Sequence, residues 1–281
     1  MTWRLRVTHD SGYSYNGVAV ASYNEVRVTP LTTDRQLVLE STVTVAPTPP
    51  TRMLRYWDYW GTVVHAFDIH VAHESLSVAG VSMVETNPAT RPTEGTWAEV
   101  DDPDVNDKFT ELLAPTPYVP ADAVIDAVAV QMRSEASPGA AVFAAVDWVR
   151  GALEYQPGAT SVRTTALEAL HGGKGVCQDF AHLTLAALRA AGIPARYASG
   201  YFYSTPDAAI GEVVTGESHA WVEAWTGSWW GIDPTNGVLA GERHVLVGRG
   251  RDYSDVPPLK GIYTGGPSQA LGVQVRLTRV A

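Results

Sequence analysis

The sequence predicts an α+β protein: an antiparallel, sandwich-like β part first, then a part in which helices pack on an antiparallel sheet. Three observations predict it. Alternation of period two begins at once, with Trp3, Leu5 and Val7 set against Arg4, Arg6 and Thr8. Short β-type runs, separated by turn residues, continue to about Glu85. Beyond Val105 the spacing of Ala, Val and Ile becomes helical. Of the 281 residues, 45% are hydrophobic and 18% charged, which supports at least one large core.

The β-type runs are Ala21 to Thr29, Gln36 to Val45, Met53 to Tyr59, Thr62 to Ile69 and Glu74 to Glu85. Asn16-Gly17 is a turn signal. Regular short strands of this kind fit a sandwich or a barrel. A first helix is expected over Val105 to Ala114, started by Asp101, Asp102 and Asp104. Pro115, Pro117 and Pro120 then read as a stiff linker. That places the boundary at 115, between a β-rich part, 1–115, and a second part, 116–281. Helices follow over Ala121 to Ala136, Gly139 to Leu153 and Thr164 to His171, the last ended by Gly172-Gly173. Val176 to Ala191 is a strong helix, with an apolar stripe of Phe180, Leu183, Ala187 and Leu188. Strands are expected over Ala195 to Ser204, Ser218 to Trp225 and Ser228 to Asp233, the last two joined at Gly227 as a hairpin. Leu271 to Val280 alternates again and makes a final strand.

Composition narrows the function. Twenty basic against 30 acidic residues give a net charge of −10, which argues against a nucleic-acid partner. One cysteine excludes intrachain disulfides and multi-cysteine metal sites. The segment MTWRLRVTHD has no apolar stretch of signal-peptide type, and no apolar run is long enough to span a bilayer. The expectation is a cytoplasmic protein without a membrane partner.

The lone cysteine occupies a position suited to chemistry. Cys177 lies at the first turn of the Val176 to Ala191 helix, where free backbone N–H groups and the helix dipole favour a thiolate. The same N–H groups can stabilise an oxyanion. A buried structural cysteine is the competing reading. His219 opens a strand on which His219, Trp221 and Glu223 share one face and Ala220, Val222 and Ala224 the other. If the small apolar face is buried, His219 turns to a cleft, where its imidazole can take the thiol proton. Asp233 ends the next strand and can orient that imidazole.

Gly-Val-Cys-Gln-Asp-Phe-Ala at 175–181, His-Ala-Trp-Val-Glu at 219–223 and Trp-Gly-Ile-Asp-Pro-Thr at 230–235 resemble the core of the transglutaminase-like superfamily. Thr8 to Pro30 resembles the β-rich N-terminal domain that its bacterial members carry. The resemblance implies a papain-like core with Cys177, His219 and Asp233 as catalytic residues. It implies acyl transfer on a peptide or side-chain amide through a thioester, with water or an amine as acceptor. Hydrolysis is the leading expectation; an amine-accepting transglutaminase and a non-catalytic peptide-binding scaffold are the alternatives. The implied partner is a peptide or protein substrate, with a homo-oligomer left open. No cofactor is implied, and no acidic loop of EF-hand type is present to hold calcium.

Further groove candidates are Trp221 and Glu223, on the face of His219, Tyr155 as a donor to the oxyanion, and Gln178 beside the cysteine. Trp221 suits packing equally well. His182 fits helix packing better than a cleft wall. His65, Asp68, His70 and His73 crowd one stretch, but on a strand His65 and His70 face opposite ways, so no metal site is assigned. Arg249 to Asp255 reads as a surface turn held by ion pairs.

Overall fold

The computed structural model describes residues 1–47, 50, 52–90 and 95–281. Its first strand, β1 (Trp3–Val26), runs 24 residues without reversing. The Asn16-Gly17 signal marks a bend within it, where Gly17 takes a positive φ of 95°. Next come β2 (Gln36–Ala46), β3 (Met53–Trp57), β4 (Val63–Ile69) and β5 (His73–Thr86). The bend lets β1 change neighbours. Its first half pairs with β5, from Trp3 opposite Thr86 to Ser14 opposite Ser75. Its second half pairs with β4, from Ser22 opposite Ile69 to Val26 opposite His65. One strand thus serves two limbs of a curved sheet, as strands do at the corners of packed sheets.

After α1 (Trp97–Val100), the single helix expected over 105–114 is broken into α2 (Pro103–Lys108) and α3 (Thr110–Leu113). Asp102 caps α2 through the N–H of Asp104, and Pro103 follows at the first helical position. Two longer helices, α4 (Ala123–Arg133) and α5 (Pro138–Ala152), start at the caps Asp122 and Ser137. The chain then makes the short strand β6 (Glu154–Tyr155), α6 (Ala166–Gly172), the short strand β7 (Lys174–Gly175) and α7 (Cys177–Ala190). Gly173, with φ 65°, ends α6 in the left-handed conformation.

The rest is mostly strand: β8 (Ala195–Phe202), β9 (Val213–Gly216), β10 (His219–Trp225), β11 (Trp229–Asp233), β12 (Val238–Leu239) and β13 (His244–Gly250). A 3-10 turn (Tyr253–Asp255) leads to β14 (Leu259–Gly265) and β15 (Ser268–Arg279). Strands β12-β11-β10-β8-β13 form a five-stranded antiparallel sheet. The two C-terminal strands return to the first sheet instead. β15 pairs with the first half of β1 and β14 with its second half, while β9 extends the sheet beyond β15. Residues on both sides of the expected boundary at 115 therefore share one eight-stranded sheet.

Three layers result. Residues of α4, α5, α6 and α7 bury Ile125, Val146, Ala169 and Leu183 against Ala220, Val222 and Ile232 on one face of the five-stranded sheet. Toward its β13 edge, Tyr201, Tyr203, Val245 and Val247 meet Trp3, Leu5, Val7 and Leu277 of the eight-stranded sheet, and on the face opposite the helices Ala198, Trp221 and Leu246 pack on Leu31 and Val63. The five-stranded sheet is the middle layer, covered on both sides. Among the described residues, no helix is long and apolar enough to cross a membrane.

Candidate active site

The site begins at the N-terminus of α7. β6 and β7 pair in parallel and carry the chain into Cys177, the first residue of the helix. Asp179 folds back over this start. Its Oδ2 accepts the Val176 N–H at 2.8 Å and the Thr160 hydroxyl at 2.6 Å. Gly175 makes room for it, because a Cβ there would stand 2.7 Å from the Asp179 Cβ. Burial raises the Asp179 pKa, although hydrogen bonds from Thr160 and the backbone oppose that rise.

β10 and β11 bring the second and third groups. Their register sets Val222 opposite Ile232, so His219 and Asp233 project from the same face, a diagonal step apart. The His219 Nε2 lies 2.7 Å from Asp233 Oδ2. Cys177 lies close enough to the His219 imidazole for its charge to act on the ring. With Nε2 engaged by Asp233, Nδ1 is the ring nitrogen left for the thiol. Asp233 is fully buried, and both its oxygens are satisfied. Oδ1 accepts the N–H groups of Thr235 and Asn236, at 2.9 and 3.1 Å. Oδ2 accepts the Asn236 side-chain amide at 2.7 Å in addition to His219.

The electrostatics follow from this geometry. Burial works against a charged His219, but hydrogen bonds and charge from Asp233 and Cys177 outweigh it and push its pKa up to about 10. Burial also works against a charged Asp233, yet hydrogen bonds from His219 and His244 hold it well below the usual carboxylate range. Both shifts favour a carboxylate beside an imidazolium, and that imidazolium faces the sulfur.

Four groove candidates meet different fates. Trp221 is buried among Leu31, Val63, Ala198 and Leu246, so it packs and lines no groove. Glu223 is also buried and is clamped by Arg196 and Arg249, its Oε2 lying 2.7 Å from the Nε of each. The reason is common to both. The face of β10 expected to open on a cleft lies under the N-terminal sheet, and only its first residue, His219, reaches the opening. Gln178 is nearly buried, and its amide donates to the Val162 carbonyl at 3.2 Å, which ties it to the loop before α6. Tyr155 is half exposed on β6, where the charges of Cys177, Glu217 and Asp233 all act on its hydroxyl.

His244 had no place in the sequence expectations. It starts β13, and its Nε2 lies 3.2 Å from Asp233 Oδ2. Its segment, His244-Val245-Leu246-Val247, is a continuous apolar run with no alternation to reveal a strand. Ligand atoms of His219, Asp233 and His244 lie within 4.8 Å of one another. They meet in hydrogen bonds, which a cation would have to displace.

The remaining clusters are structural. His182 is fully buried, accepts the Tyr253 N–H at 3.2 Å, and is pushed by burial down to about 3. In the N-terminal sheet His65 bonds Thr29, His70 pairs with Asp68, and His73 bonds the Val71 carbonyl, so these histidines do not converge. Arg249 belongs to the Glu223 clamp, whereas Arg251 pairs with Asp255 as an ion-paired turn. Surface cavities of about 440 and 640 Å³ lie in the N-terminal sheet, and Cys177, His219 and Asp233 line neither.

Known proteins place this arrangement in a family. Residues 5–85 match the model of the bacterial transglutaminase-like N-terminal region, and residues 126–234 that of the transglutaminase-like superfamily. An uncharacterized protein of Mycobacterium leprae is 49% identical over 99% of this chain and 100% of its own. One of Mycobacterium tuberculosis is 33% identical over 98% of this chain and 92% of its own. A crystal structure of a candidate cysteine protease from Cytophaga hutchinsonii shares the fold, with TM-score 0.80 and 24% identity over 100% of this chain and 92% of that one. With the likeness running from the N-terminal sheet to the helix that bears Cys177, this chain belongs to the transglutaminase-like superfamily.

Proposed function

We propose that the protein is a cysteine-dependent amide hydrolase that acts on a peptide or protein substrate. The observation that carries this is the hydrogen-bonded pair His219–Asp233 set beside Cys177 at the N-terminus of α7. In the reaction, the Cys177 thiolate attacks the amide carbonyl carbon. The resulting oxyanion is met by N–H groups of the first turn of α7. As the intermediate collapses, the C–N bond breaks and the His219 imidazolium gives its proton to the leaving amine. The neutral imidazole then takes a proton from water, whose oxygen attacks the thioester. Collapse releases the carboxylic acid and restores the thiolate–imidazolium pair. Asp233 stays ionised and holds the imidazole edge-on to the sulfur. No metal or organic cofactor enters these steps, and a cytoplasmic setting keeps the lone thiol reduced.

The test is the rate of Cys177 alkylation by iodoacetamide against pH, read by intact mass. With one thiol in the chain the signal has no competitor. Fast modification near pH ~6, slowed in His219→Ala, is expected, whereas an ordinary thiol reacts in step with a pKa of about 8.5. Amide turnover follows in wild type and is lost in a folded Cys177→Ser variant. Turnover that survives in that variant would sink the mechanism. Faster thioester consumption with added amines than with water would make the protein a transglutaminase. An unactivated thiol without turnover would make it a scaffold.

A further inference from the structure

His244 touches Asp233 but has no part in the steps above. Its surroundings fix its state. The Gly241 N–H points at His244 Nδ1 from 3.3 Å, so Nδ1 acts as an acceptor and carries no proton. The ring proton therefore sits on Nε2, which faces Asp233 Oδ2 at 3.2 Å. The Phe202 ring covers His244 at 4.6 Å, and Trp221 meets it edge-on at 5.3 Å, so the imidazole has no second orientation to adopt. The group is buried.

We propose that His244 is a positioning residue: a permanently neutral Nε2–H donor that shares Asp233 Oδ2 with His219 and sets how tightly His219 holds its proton. This rests on the reading of Cys177, His219 and Asp233 as the reacting line. Two donors on one oxygen compete for its charge, and Asn236 Nδ2 is a third. Only one imidazole of the pair can be cationic, and the surroundings choose which. Burial disfavours a charged His244, and the charges of His219 and Arg243 add to that, against an opposing pull from Asp233. His219 faces Asp233 and Cys177, and Tyr155 and Tyr197 are further titratable groups on which the Cys177 charge acts, with Glu217 beside Tyr155. With the His244 donor in place, Oδ2 holds the His219 proton less strongly, and the imidazolium can yield it to the leaving amine. Without it, His219 keeps its proton to higher pH and gives it up more slowly.

The experiment follows the imidazole nitrogens of ¹⁵N-histidine-labelled full-length protein by NMR from pH 5 to 12. Wild type, His244→Phe, His244→Asn and His244→Gln are compared, with His219→Ala used for assignment. In wild type, His244 is expected to stay a neutral Nε2–H tautomer throughout. In His244→Phe the His219 midpoint moves up by roughly one pH unit, the scale of one hydrogen bond to a charged group, and turnover falls about tenfold. His244→Asn, whose amide is too short to reach Oδ2, does the same if phenylalanine prevents folding. His244→Gln restores the donor and returns the midpoint toward wild type. A merely structural role would lower stability and leave the His219 midpoint in place. That outcome, or an Nδ1–H or doubly protonated His244 in wild type, overturns the proposal. A wild-type His219 that titrates near 6.5 with no effect of Cys177→Ser would instead overturn the proposed function. The His244 tautomer, read from the same spectra, is judged separately.

Discussion

At the scale of single residues, Asp233 determines the most. Three side-chain donors meet its Oδ2 and two backbone N–H groups meet its Oδ1. An asparagine there must turn its NH₂ toward one set of donors, and buried donors lose their acceptor. Asp233→Asn is expected to lower stability by roughly 2–4 kcal/mol, measured by urea unfolding. Its turnover per folded molecule is expected to fall less than that of His219→Ala, which removes the proton carrier of the proposed mechanism. A second prediction concerns pH. The His219 pKa is raised from 6.5 to about 10 in the folded protein, so its contribution to stability is complete below pH 6.5 and disappears as pH climbs through 10. The melting temperature should therefore decline between pH 7 and 10 in wild type and decline less in His219→Ala. A parallel decline in the two would refute the assignment. The sequence made Cys177, His219 and Asp233 legible because each sits in a short local pattern: a glycine-flanked helix start, a strand start and a strand end. His244 had no such pattern, and what gives it a role is a contact between β13 and the end of β11, strands that are not neighbours in the sheet.

At the scale of elements, α7 and β10 show how burial hides periodicity. Periodicity predicts one apolar stripe on α7, yet every residue from Gln178 to Arg189 is buried. The polar ones have internal partners. Thr184 bonds the Phe180 carbonyl, and Arg189 reaches the carbonyls of Ala195 and Ala114. β10 alternates as its sequence indicates, but both of its faces are covered, which alternation alone cannot reveal. Trp221 and Glu223 are consequently interior residues that anchor the middle layer. Trp221→Ala should cost about 3–5 kcal/mol, the usual range for emptying such a site. Glu223→Ala leaves Arg196 and Arg249 facing each other without their shared carboxylate. A loss of about 3–5 kcal/mol is expected, partly recovered when Arg249 is also replaced by methionine. Chemical denaturation of the single and double variants checks the coupling; strict additivity would show that the clamp contributes nothing as a unit.

At the scale of the whole molecule, the strand and helix content was readable but its partition was not. β13 is a plain apolar run, and β14 is exposed along most of its length, so neither carries alternation. No local signal tells β14 and β15 to leave the helical part and join β1. Because they do, the two parts defined by composition are not independent. The helical face, the middle sheet and the N-terminal sheet should unfold in one cooperative transition, with calorimetric and van't Hoff enthalpies equal. A chain ending at Pro258 exposes Leu5, Val7 and the β1 edge, and it is expected to aggregate and not to melt cooperatively. The long reach of these pairings also bears on synthesis. β1 can pair with β5 as soon as residue 86 has emerged, but its other edge finds β15 only when residues 268–279 have been made. Throughout elongation the nascent chain presents an open strand edge, and the eight-stranded sheet stays unfinished. A truncated translation product would therefore carry an exposed β edge.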